Sequence, residues 1–105
     1  MSYAVVFAPE AEDQLADLYL YIANEASPST AQRYTDAIVS CCERLANFPH
    51  RGTPRDDIRP GLRITNYKGR TVIAFAVDED VRQVSIFGVF YGGQDYERAL
   101  SEPET

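Results

Sequence analysis

The sequence predicts an α+β fold with the element order β-α-α-β-β-β. Three observations carry this. Apolar residues recur at helical spacing through most of the first 45 residues, and from residue 62 to 91 they alternate or run continuously over strand lengths. Between these halves, residues 48–65 are dense in Pro, Gly and Arg, the composition of a structured junction. With 105 residues, one domain is expected.

Tyr3, Val5 and Phe7 alternate with Ala4 and Val6, which predicts a short strand over residues 2–7. Pro9 then stands where a first helical turn tolerates proline, and Glu10, Glu12 and Asp13 favour a helix N-terminus. Ala11, Leu15, Leu18, Tyr19, Ile22 and Ala26 form the apolar face of this first helix. Ser27-Pro28-Ser29 ends it and starts a second. The second helix presents Ala31, Tyr34, Ile38, Cys41, Cys42 and Leu45 on one face and Arg33, Asp36, Ser40 and Glu43 on the other, and Asn47 and Pro49 end it. The short connection implies an antiparallel helical hairpin.

In the second half, Leu62 and Ile64 alternate with Arg63 and Thr65, and Asn66-Tyr67-Lys68-Gly69 signals a turn. Val72–Val77 is apolar on both faces, as a central strand requires, and Asp78-Glu79-Asp80 is a polar turn. Val84–Tyr91 forms the last strand, in which Gly88 predicts a bulge or a close backbone approach. Gly92-Gly93 ends it. Residues 1–95 are read as the domain and 96–105 as a C-terminal tail, a short helix followed by a frayed end.

Charge is distributed unevenly. Residues 1–43 carry seven acids and one base (−6), residues 44–77 two acids and seven bases (+5), and residues 78–105 seven acids and two bases (−5). The total of −6 argues against a general nucleic-acid-binding surface and confines cationic binding to the middle of the chain. Nine of the ten bases are Arg, which suits bidentate contact with carboxylate or phosphate, or pairing with the chain's own acids such as Asp56 and Asp57. The adjacent Cys41 and Cys42 bond to each other only with strain, and without a second Cys/His cluster they make no zinc site. No metal or cofactor is expected. No segment reaches the roughly 20 apolar residues that span a bilayer, and the first residues lack the basic flank of a signal peptide, so a cytoplasmic protein is expected. On the first helix, Leu20 lies opposite the apolar face between Ala16 and Ala23. It is either a solitary exposed leucine or the centre of a patch that docks a partner.

Five pieces, in order, resemble a known family. They are Phe7-Ala8-Pro9-Glu10-Ala11 leading into Asp17–Ile22; Ala31-x-x-Tyr34-x-x-Ala37-Ile38 with Leu45; Phe48-Pro49-x-x-Gly52; Arg59-Pro60-Gly61-Leu62-Arg63; and Val84-x-Ile86-x-x-Val89 ending in Tyr91-Gly92. Over roughly residues 3–95 the chain resembles the ParE branch of the ParE/RelE superfamily, toxins of bacterial toxin-antitoxin (plasmid stabilization) modules. The resemblance implies a helical hairpin packed on a small, mainly antiparallel sheet. It also implies neutralisation by a cognate ParD-like antitoxin, whose tail folds on binding.

ParE relatives poison DNA gyrase, whereas RelE relatives cleave messenger RNA on the ribosome. The second chemistry needs a general base, a proton donor and cations around the phosphate. Arg63, Arg70, Arg82 and Tyr91 are the available set, with Arg59 and Lys68 as further cations. The only histidine, His50, lies in the junction loop, and where many superfamily members have His and Arg in the last strand this chain has Phe90-Tyr91 and Gly88. The expectation is therefore a gyrase-directed toxin with no catalytic residues. Its target-binding candidates are Arg55, Arg59, Arg63 and Arg70, and its antitoxin-binding candidates Ala16, Leu20, Ala23, Arg59 and Arg63. The alternatives are a RelE-like endoribonuclease and a non-toxic protein-binding relative.

Overall fold

The computed structural model describes residues 2–101. Strand β1 (Ala4–Phe7) leads into helices α1 (Pro9–Glu25) and α2 (Pro28–Glu43), which runs on into a single 3₁₀ turn, Arg44–Ala46. Strands β2 (Thr53–Pro54), β3 (Leu62–Tyr67), β4 (Thr71–Asp78) and β5 (Gln83–Tyr91) follow, then a short helix α3 (Tyr96–Leu100). One five-stranded sheet has the order β1-β5-β4-β3-β2. Its pairings are antiparallel except β1 with β5, which is parallel, the long connection between them running through the helical hairpin and the other three strands. Residues 102–105 of the expected tail lie outside the described residues.

Both helices start as their sequences dictate. Pro9 and Pro28 occupy the first turns, where their missing N–H groups cost nothing. Ser27 caps α2, its Oγ accepting from the Thr30 N–H at 3.1 Å. The apolar faces then pack on the sheet. Ala11, Leu18 and Ile22 of α1 and Ala31, Ile38 and Cys42 of α2, with Leu45 of the 3₁₀ turn, meet Ile73, Phe75, Val84, Ile86 and Val89 in the main core. Burial pushes the Cys42 thiol pKa up to about 12, with the neighbouring Cys41 adding to the shift, so this sulfur is a packing atom and not a nucleophile. Ala26, expected on the apolar face, is exposed at the α1 C-cap because the helix ends there and the chain turns outward.

The opposite face of the sheet holds a second cluster, in which Leu62, Ile64, Ala74, Phe90 and Leu100 are buried and Ile58, Val72, Phe87 and Tyr96 pack around them. Gly88 makes this division possible. Ala74 pairs with Gly88 but Phe75 pairs with Ile86, so β5 contains one extra residue. That bulge switches the alternation: Val84 and Ile86 before it and Val89 after it all reach the helical side, while Phe87 and Phe90 face the other cluster. A Cβ at Gly88 would stand 2.6 Å from Phe90 Cε2 and 3.1 Å from Gln14 Oε1. Only glycine leaves room there for Gln14 to accept the Val89 N–H, at 2.7 Å.

Two elements differ from the sequence expectation. The turn after β3 falls at Lys68-Gly69, both with positive φ (52° and 71°), so Asn66 and Tyr67 belong to the strand. Strand β2 was not expected. It is a two-residue edge in which Thr53 pairs with Ile64 and Pro54 with Arg63, and Pro54 blunts the exposed edge.

Candidate functional site

The sheet has two ends, and the candidate residues divide between them. At one end β3 and β5 begin and β4 finishes, and the residue 48–61 junction wraps this end. Here Arg55 forms a forked contact with Asp57, Nε to Oδ1 at 3.0 Å and Nη2 to Oδ2 at 2.9 Å. The same guanidinium reaches Glu97 Oε2 at 2.6 Å and the Tyr96 hydroxyl at 3.0 Å, tying α3 to the junction. Asp57 foremost, then Glu97, holds the Arg55 pKa well above its ordinary value, and Arg55 holds the Asp57 carboxyl below the usual carboxylate range.

Arg63 is engaged differently. Its side chain donates to the backbone carbonyls of Arg51 (3.1 Å), His50 and, at the long limit of 3.4 Å, Gly52. It therefore clamps the loop that leads into β2. Neither Arg59 nor Arg63 pairs with Asp56 or Asp57, although their nearness in sequence would allow it. Asp57 serves Arg55, and Asp56 Oδ1 accepts from the Gly61 N–H at 2.8 Å, closing the Pro-Gly turn. His50 lies beside Glu79, Nε2 to Oε2 at 2.9 Å, at this same end. Arg59 alone of the junction candidates has neither a carboxylate partner nor a side-chain hydrogen bond among the described residues. Its guanidinium lies 5.4 Å over the Phe87 ring, and its Nε is buried without a hydrogen-bond partner.

The other end of the sheet is aromatic. Tyr34 of α2 meets Tyr67 of β3 edge-on (5.4 Å between centroids) and Tyr91 of β5 edge-on (5.8 Å), and Tyr91 continues to Tyr21 of α1 at 6.1 Å. The Tyr34 hydroxyl is 2.8 Å from the Thr71 hydroxyl, which is fully buried, so the chain of rings is anchored at its centre. Lys68 lies 5.8 Å over the Tyr67 ring. Arg70 is exposed in the β3–β4 turn, its carbonyl accepting from the Gly92 N–H at 3.0 Å, and it has no ion-pair partner among the described residues. A cavity of about 360 Å³ opens beside Tyr21 and Tyr91, with Gln14, Asp17 and Gln94 on its walls.

This arrangement disperses the four residues considered for RNA cleavage. Arg70 and Tyr91 are neighbours, since Thr71 pairs with Tyr91. Arg63 pairs with Phe75, four residues along β4 and so about 13 Å away, with its guanidinium bound to loop carbonyls. Arg82 precedes β5, whose nine residues place it roughly 25 Å from Tyr91 at the opposite end of the sheet. These four side chains do not converge on one phosphate.

The patch on α1 is smaller than its spacing suggested. Leu20 and Tyr21 are 59% and 54% exposed and Ala16 is exposed, but Ala23 packs against the core and leaves the patch. The aromatic chain was not anticipated. Its four tyrosines sit in four different elements, and only Tyr91 was a functional candidate in the sequence.

The comparisons with known proteins agree with this geometry. The family model for the ParE toxin of the type II toxin-antitoxin system parDE matches residues 5–96. No curated protein matches the chain. Among solved structures, a chain of the chromosomal ParDE toxin-antitoxin system from P. aeruginosa superposes with a TM-score of 0.74 at 17% identity, covering 87% of this chain and 97% of that one. A chain of a RelBE toxin-antitoxin complex from Mycobacterium tuberculosis gives 0.64 at 19% identity, covering 87% and 99%. The free E. coli toxin RelE, in a mutant form, gives 0.62 at 12% identity, covering 96% and 95%. At these identities the structural likenesses establish the shared α+β fold. The family match over nearly the whole chain establishes more: the protein belongs to the ParE toxin family of type II toxin-antitoxin systems.

Proposed function

We propose that this toxin acts by binding DNA gyrase and stalling its cycle, and that a cognate ParD-like antitoxin neutralises it. The observation that carries the reading is the dispersal of the acid-base and cation set. With Arg82 and Tyr91 at opposite ends of the sheet and Arg63 bound to carbonyls, the residues weighed for phosphate chemistry offer binding surfaces rather than one reaction centre. A gyrase poison needs a rigid recognition surface and no reaction centre. Arg59 and Arg70 are the target-contacting residues in this reading, because neither has an ion pair or a side-chain hydrogen bond among the described residues. Arg55 and Arg63 act as scaffold.

The antitoxin site is assigned to the outer face of α1 around Ala16 and Leu20, where 59% of Leu20 is open to a partner. Cytoplasmic action follows from the target; among the described residues, no helix is long and apolar enough to cross a membrane.

The test is supercoiling by purified gyrase with the isolated toxin in excess. Inhibition, or accumulation of cleaved DNA, is expected, and normal supercoiling at large excess overturns the reading. The adjacency of Arg70 and Tyr91 favours a specific competitor, ribosome-dependent RNA cleavage. That mechanism predicts codon-phased cuts in messenger RNA on expression, lost in Tyr91→Phe. Growth unimpaired by folded protein without antitoxin would leave a non-toxic binding relative.

A further inference from the structure

We propose that the cavity between α1 and the end of β5 is a receptor for a guanidinium group, an arginine side chain presented by a basic segment of a partner protein. The site lies apart from the junction arginines and does not depend on gyrase being the target.

Three features point to that occupant. First, the walls offer aromatic rings and acceptor oxygens together. Tyr21 and Tyr91 stand 6.1 Å apart at 54°, a splayed pair, and Asp17 lies on the α1 side of the opening. A planar cation stacks on such rings and pairs with the carboxylate at once, which an apolar side chain or an anion cannot do. Second, the negative charge is uncompensated. Helix α1 carries Glu10, Glu12, Asp13, Asp17 and Glu25 and no Lys or Arg, and no salt bridge among the described residues involves any of them. Arg70, although its carbonyl accepts from the Gly92 N–H, does not line the cavity.

Third, the walls are preorganised. Gln14 is fixed by its 2.7 Å bond to the Val89 N–H and Gln94 by its 2.8 Å bond to the Tyr91 N–H, and Tyr91 is braced against Tyr34. A cation entering the cavity meets a braced Tyr91 ring and fixed amide walls, so little ordering cost falls on that side of the site.

The experiment is an NMR titration of the isolated protein with N-acetyl-arginine methylamide, and in parallel with the citrulline analogue, a neutral isostere. The arginine probe should produce saturable shifts centred on Asp17, Tyr21 and Tyr91, and citrulline should bind about three- to tenfold more weakly. Asp17→Asn and Tyr21→Leu should each weaken arginine binding by about the same factor, through loss of the charge and of the ring respectively. Both positions are exposed, so the fold should survive, which the unperturbed core resonances check. Asp13→Asn removes the same charge from the same helix outside the cavity and should leave binding unchanged. The proposal is overturned if citrulline binds as well as arginine, or if Tyr21→Leu has no effect. It is also overturned if Asp13→Asn weakens binding as much as Asp17→Asn, which would mean a diffuse negative field rather than a built site.

Discussion

At the end of the sheet where β3 and β5 begin, Arg55 and Arg63 are held by Asp57, Glu97 and three backbone carbonyls of their own chain. At the end where β5 finishes, Arg70 and Lys68 have no ion-pair partner among the described residues and stand beside a chain of four tyrosines. The residue types overlap, but the roles differ. Arg63, on β3 beside the junction, finds free carbonyls there, because the junction forms few ladder hydrogen bonds of its own, and Arg55 within the junction finds two carboxylates. Arg70, in the three-residue turn between the paired strands β3 and β4, has no such partner among the described residues. The partners within reach of each side chain thus separate arginines that hold the fold from arginines left to face a partner.

Substitutions can break or sharpen that contrast. The largest effect is expected from Gly52→Ala. Gly52 has φ +83°, and a Cβ there would overlap the Ile64 carbonyl, which is backbone and cannot swing aside. A loss of about 2–4 kcal/mol in denaturant unfolding is expected, with β2 detached from β3. A near-neutral result would mean that the junction is not rigidly held.

Gly88→Ala comes next, at about 1–3 kcal/mol, since the added carbon meets the well-packed Phe90 ring at 2.6 Å. This change acts through the β5 bulge and should leave the junction's amide-exchange protection intact. Arg63→Ala removes the clamp on the His50–Gly52 carbonyls and should cost about 1–2 kcal/mol, read as a lowered denaturation midpoint. Arg70→Ala should leave that midpoint unchanged.

The smallest effect concerns pH. Asp57 is depressed by Arg55, so its contribution is present above the unfolded carboxylate pKa, near 4, and is lost as pH falls through the lower folded value. Asp57→Asn should therefore reduce stability slightly at neutral pH and flatten its decline below about pH 4, as thermal melts across that range would report.

The regular elements were legible because their side chains are periodic. Ala11, Leu18 and Ile22 at helical spacing, and Leu62 and Ile64 at strand spacing, fall where burial requires them. Even the β5 bulge was marked, by a glycine inside a strand. Strand β2 was not legible: two residues, one of them proline, have no period, and the segment is fixed by Arg63 and by the Gly52 turn. The site was legible only in part for a related reason. Arg55 reaches Glu97 across 42 residues of sequence and Tyr34 reaches Thr71 across 37, and no local pattern encodes such contacts. Residue types alone made Arg55, Arg63 and Arg70 look equivalent, and their partners make them different.

The most direct test of that difference compares Arg55→Ala, Arg63→Ala and Arg70→Ala in one gyrase supercoiling assay, with each protein's folded fraction measured alongside. The account predicts that Arg70→Ala stays fully folded and loses inhibition by roughly tenfold or more, as removal of a charged contact from a binding surface does. Arg55→Ala and Arg63→Ala should lose stability but keep inhibition per folded molecule. Full inhibition by Arg70→Ala, with inhibition lost in a fully folded Arg55→Ala or Arg63→Ala, would contradict it.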